Sequence, residues 1–173
     1  MKLIAKPSEG EFAPYTSMYI DLLPDDLQII KHLQENLINT TQFARSFPEE
    51  KLGTPHKKGE WTIKEILVHI IDDERIYCYR ALRFARNDST ILPGFEQDDY
   101  VPFSRANSRE LEDILEEFSA VRMATIAFFN SLDHESLTRK GVGSGNSMSV
   151  RAAAYHIAGH ELHHVNSIKE NYS

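Results

Sequence analysis

Apolar residues return every three or four positions in four stretches of this chain, the period of an amphipathic helix. The first is LLPDDLQIIKHLQENLINTTQFARSF (22–47), with Pro24 suited to a helix start. The second is WTIKEILVHIIDDERIYCYRALRFARND (61–88), opened by Thr62-x-x-Glu65. In that capping box each side chain satisfies a backbone N–H of the other residue. The third is NSRELEDILEEFSAVRMATIAFFNSL (107–132), with Asn107 or Ser108 as cap and acidic residues near its N-terminus, where the helix dipole favours them. The fourth follows a glycine-rich turn and a Ser149 cap, in GVGSGNSMSVRAAAYHIAGHELHHVNSIKENY (141–172). No stretch shows strand alternation. STILPGFEQDDYVPFSRA (89–106), with two prolines and a glycine, predicts a long ordered loop. Four amphipathic helices in one domain spanning 1–173 predict an all-α four-helix bundle.

Charge and composition narrow the function. The net charge of −7 excludes nucleic acid as the main partner, because phosphate binding needs a basic patch. No apolar run reaches a membrane span, and no signal-peptide segment opens the chain. The single cysteine, Cys78, excludes an intrachain disulfide and fits a reducing compartment, so the expected location is cytoplasmic.

The fourth stretch carries His156, His160, His163 and His164, half of the chain's eight histidines. At about 100° per residue, His160 and His164 border the apolar arc of Val150, Ala153, Ile157, Val165 and Ile168. His156 and His163 lean towards solvent. Spacing i, i+4 puts two imidazoles on one face, a common helical way to present a metal-binding pair. HELHH also matches the zinc-peptidase pattern H-E-x-x-H, but the nine residues after His164 hold no third histidine, and no strands are expected for such an enzyme's sheet. An upstream third ligand fits better. His69 borders the apolar arc of the second helix, and a bundle can set that helix beside the fourth. Cys78 lies about 180° round from His69 and is not expected to join it.

Two carboxylates, Glu74 and Glu161, fall within apolar arcs and need partners if buried. They are candidates for orienting a ligand histidine or for general-base catalysis, with pairing to Arg75, Arg80 or Arg151 as the structural alternative. Asp72 and Asp73 read either as carboxylates behind His69 or as surface charge.

GEWTIKEILVHIIDDERIYCYRALRFARND, LPGFEQDDYV and SVRAAAYHIAGHELHHVNSI together resemble the DinB-like, YfiT-like superfamily of metal-dependent enzymes, and APYTSMYIDLLPDD resembles its opening. The resemblance implies a four-helix bundle in which His69, His160 and His164 bind a divalent transition metal (zinc, nickel or iron), with His163 only a neighbour. It also implies a small-molecule substrate, a homodimer, and activity as a hydrolase or as a transferase using a low-molecular-weight thiol. The competing expectation is a non-catalytic metal-binding, stress-response bundle, marked by a fourth protein ligand from His156, His163 or Asp73. Pro93, Gly94, Phe95 and Tyr100 in the long loop are expected to wall a substrate pocket or to cover the bundle's end.

Overall fold

A computed structural model describes residues 2–172. Four long helices form its frame: α1 (Ile29–Arg45), α2 (Ile63–Ala85), α3 (Leu111–Ser131) and α4 (Val150–Tyr172). The expected bundle is present.

The helix starts show how local chemistry sets the frame. In α2 the Thr62/Glu65 box forms as predicted. Its Thr62 hydroxyl also donates to Asn107 Oδ1 at 2.7 Å, and Asn107 Nδ2 donates to Glu65 at 3.0 Å. Asn107 therefore caps its neighbour, and α3 begins three residues later than that cap would place it, after Glu110. In α4 the Ser149 hydroxyl accepts from the Ala152 amide at 3.1 Å, as expected. The start of α1 differs from the sequence reading. Pro24 lies outside the helix, because Leu27 takes a left-handed conformation (φ 65°) and the helix opens only after Gln28.

The absence of strands was also a wrong expectation. β1 (Lys140–Gly143) and β2 (Asn146–Ser149) form an antiparallel hairpin. Ser144 and Gly145 both have positive φ in its two-residue turn, the twist that tight hairpins favour. Three glycines and a short length hid the alternation. The loop between α2 and α3 likewise contains a helix, Gln97–Ser104, despite Pro102. Hydrogen bonds from Leu92 to Val142 and from Ser144 to Leu92 tie this connection to β1.

The apolar core forms two clusters. One joins the start of α1 (Ile30, Leu33), the end of α2 (Ala81, Phe84), the end of α3 (Ile126, Phe129) and the start of α4 (Ala154, Ile157). The other joins the opposite helix ends, through Ile66, Leu67, Leu115, Phe118 and Ile168. Thus α1 and α4 run one way, and α2 and α3 the other. The neighbours round the ring are α2–α3–α1–α4, so the long connection crosses between two parallel helices. Between the two clusters lies a buried polar layer: Asn36 and Thr40 of α1, His69, Asp73 and Glu74 of α2, Arg122 of α3, and His156, His160 and Glu161 of α4. Among the described residues no helix is long and apolar enough to cross a membrane.

Candidate metal centre

Helices α2 and α4 pack side by side and antiparallel, which brings His69 against the pair on α4. His160 Nε2 lies 3.1 Å from His69 Nε2 and 3.1 Å from His164 Nε2. All three ligand atoms fall within 4.8 Å of one another. Metal–nitrogen bonds of about 2.0–2.1 Å put neighbouring ligand nitrogens roughly 3–3.4 Å apart, so the spacing fits a single ion.

The protonation states fit as well. Burial drives the His69 and His160 imidazoles below their ordinary range, His160 strongly, and burial with the nearby His69 and His163 takes His164 to about 3. Neutral rings keep lone pairs free for a cation.

Behind the triad stands Asp73, one turn beyond His69. Its Oδ2 accepts from His156 Nε2 at 3.0 Å and lies 3.4 Å from His160 Nδ1. Burial opposes charge on Asp73, but the facing His160 and His156 imidazoles outweigh it and hold the carboxyl below the usual carboxylate range. A carboxylate at Nδ1 favours the tautomer that leaves His160 Nε2 free for a metal. Asp73, His156 and His160 form a second close group. There His156 Nε2 and His160 Nδ1 both face Asp73 Oδ2, whereas the Nε2 atoms of His69, His160 and His164 converge with lone pairs to spare.

The α4 wheel misplaced His156, which is 2% exposed. From Val150 to Glu161, all but one residue of α4 are buried, so no solvent face exists there. The segment Ser17–Ile20 covers the side that the wheel assigned to water. Gly159 makes that crossing possible: a Cβ there would sit 2.2 Å from the Tyr19 carbonyl oxygen. Tyr19 consequently lies edge-on to His156, His160 and His163 at 5.1–5.3 Å. His163 remains a neighbour of the triad, and Asp72 sits beside Arg75 at 3.8 Å.

Glu74 and Glu161 are buried as expected, but neither lines the cavity beside the triad. Both turn towards α3, where Arg122 donates from Nε and Nη2 to Glu74 at 2.8–3.1 Å and lies 2.8 Å from Glu161. Thr40 donates to Glu161 at 2.6 Å. Both carboxylates thus face Arg122 rather than the cavity. Their partner is Arg122, not Arg75, Arg80 or Arg151, because the fully buried Arg122 side chain reaches from α3 into the bundle interior, where both carboxylates point.

The triad sits in a cavity of about 400 Å³, also lined by Tyr15, Tyr19, Trp61, Tyr77, Arg80 and Phe95. Phe95 and Gln97 bring the long connection into the wall, while Tyr100 faces a smaller adjoining pocket. Cys78 contacts Thr125 and takes no part in the lining. Sequence reasoning missed Arg80 as a wall residue. Its signal was the stripe His69, Asp73, Tyr77, Arg80, spaced four, four and three along one face of α2.

The profile of the DinB superfamily matches residues 32–168. The chain belongs to the DinB superfamily. It is 25% identical over 142 residues to a "putative metal-dependent hydrolase" of Oceanobacillus iheyensis, covering 81% of each chain. A Bacillus licheniformis protein of the same description is 20% identical over 128 residues, 73% of each chain. Among solved structures, YfiT from Bacillus subtilis, described as "a probable metal-dependent hydrolase with an unusual four-helix bundle topology", superposes with a TM-score of 0.73 at 15% identity over 96% of this chain and 91% of its own. A mycothiol-dependent maleylpyruvate isomerase gives 0.65 at 8% identity, over 84% of this chain and 61% of that one. These likenesses establish the bundle and its uncommon helix order.

Proposed function

We propose that this protein is a metal-dependent enzyme, a hydrolase or thiol S-transferase of small molecules, whose divalent transition metal is held by His69, His160 and His164. The carrying observation is the convergence of three neutral imidazole nitrogens at the wall of a cavity large enough for a substrate. A divalent metal bound there supplies Lewis acidity at its open positions, activating water or a thiol. The protein's own groups do the rest. Asp73 fixes the His160 ring. Tyr19 and Tyr77, whose hydroxyls burial and the nearby Asp73 raise above their ordinary range, stay protonated and offer donors to a substrate. Trp61 and Phe95 restrict water. The names carried by the relatives support hydrolysis, and the isomerase of the same fold supports thiol chemistry. A second copy of the chain as partner belongs to the same proposal.

The placement of Asp73 and His156 supports catalysis over metal storage. They bond to each other behind His160 rather than closing a fourth position. The test is elemental analysis of the protein and its His69→Ala form, then cobalt substitution. About one equivalent of metal, lost on substitution, is expected, with a cobalt spectrum that shifts on adding mercaptoethanol. Metal retained by His69→Ala sinks the centre, and a spectrum indifferent to thiol sinks the open position.

A further inference from the structure

Among the described residues three cationic side chains are buried, and two of them meet carboxylates. Arg122 has Glu74 and Glu161, and Lys64 has Glu49 at 2.6 Å. The third is Arg80, 4% exposed. Its only protein acceptors among the described residues are neutral: the Pro93 carbonyl at 3.2 Å and the Ser144 hydroxyl at 2.7 Å, both reached by Nη2. Nε and Nη1 donate to no described residue. The guanidinium lies 5.0 Å from the centre of the Tyr77 ring and 5.8 Å from that of Phe95, and it lines the same cavity as the histidines. A buried charge without a counter-ion is costly, and it persists where a ligand completes it.

We infer that Arg80 is the anchor for a carboxylate at one end of an elongated ligand whose other end reaches the three-histidine centre. Only the second half of that statement rests on the metal-enzyme reading.

The guanidinium is set in place before any ligand arrives. Ser144 holds it from the hairpin turn and Pro93 from the long connection, and Gly143 leaves it room, since a Cβ there would come within 3.1 Å of Nε. Pre-organisation of this kind lowers the entropy lost on binding. A planar fork with free N–H groups matches a planar carboxylate. Phosphate is disfavoured, because no lysine or second arginine lines the cavity. The length follows from the helix. Arg80 is eleven residues beyond His69 on the same face of α2, about 16 Å of rise. A ligand that meets both groups has to span much of that rise, which favours a chain over a compact anion. The rings of Tyr77 and Phe95 beside the guanidinium, and of Trp61 against His69, suit an apolar or aromatic middle.

Trp61, the chain's one tryptophan, lines the cavity and reports its occupancy by fluorescence. Zinc-loaded and zinc-free protein are titrated with mercaptohexanoate and mercaptooctanoate, and with the corresponding mercaptoalcohols. The acids are expected to bind about tenfold or more tightly than the alcohols in both metal states. That preference disappears in Arg80→Gln and is partly kept in Arg80→Lys. Equal or absent binding of acid and alcohol by the wild-type protein overturns the inference, whatever the variants do. The zinc dependence is a separate readout. If the acid preference persists but zinc adds nothing and His160→Ala changes nothing, the metal centre fails and the Arg80 assignment stands.

Discussion

Asp73 and Glu74 are consecutive in α2, and His160 and Glu161 are consecutive in α4, yet each pair divides between two unlike regions. Glu74 and Glu161 turn to Arg122 of α3, which also donates from Nη1 to the Leu33 carbonyl at 2.8 Å, while Thr40 donates to Glu161. Asp73 and His160 turn to the cavity. There His69, His160 and His164 leave three lone pairs converging without a proton donor for each, and Arg80 leaves N–H groups without an acceptor. Both regions are buried, polar and built on the same two helices. What separates them is where the polar groups point: one set meets partners inside the protein, and the other faces a cavity. Buried polar groups that meet each other hold a core together, and unmet ones beside a cavity call for a ligand.

The largest effect is expected from Arg122→Ala, which strands two buried carboxylates and should cost about 3–5 kcal/mol in urea unfolding. A loss under 1 kcal/mol would erase the distinction between the regions. Chelating zinc from the histidine centre should come next. At free zinc one hundred times Kd, its removal costs about 2.7 kcal/mol, or roughly 5–10 °C in Tm for a chain of this size. His160→Ala should abolish that zinc-dependent difference. Asp73→Asn is milder: zinc affinity falls about 10–100-fold in competition with a chromophoric chelator, with all three ligands still present. Unchanged affinity would show that Asp73 serves only His156.

The smallest effect belongs to a pair at the rim, Glu11 and Arg151, which sharpens the contrast by placing matched charges near water. The Arg151 hydrogen bond holds the Glu11 carboxyl down at about 2, against an ordinary value of 4.5. Because the folded state binds the proton less readily than the unfolded one, this stabilisation is complete above 4.5 and fades as pH falls towards 2. Solvent screening limits it to no more than about 1 kcal/mol. Glu11→Gln should lower stability at pH 7 by that amount, and the difference from wild type should close in acid.

Some of the candidate site was readable in advance. The i, i+4 spacing selects His160 and His164, and the wheel of α2 selects His69, because helical periodicity records which residues share a face. The sequence does not separate Asp73 from Asp72, since neighbours on a helix differ by about 100° and only packing shows which one meets α4. His156 was assigned to solvent because a wheel assumes one wet face, and α4 has almost none over its first three turns. Nothing local pairs Arg122 with Glu74 and Glu161, which are 48 and 39 residues from it in sequence.

By itself, then, the sequence determined the four helices, the α2 and α4 caps, the family and the three histidines. These follow from periodicity and short-range chemistry, which act within a few residues. Only the tertiary structure decided which buried carboxylate meets a histidine and which meets Arg122, that Gly159 admits Tyr19 over the site, and that Arg80 reaches the cavity uncompensated. Those outcomes depend on which helix lies opposite, and the order of helices round the bundle is set by packing across the whole chain.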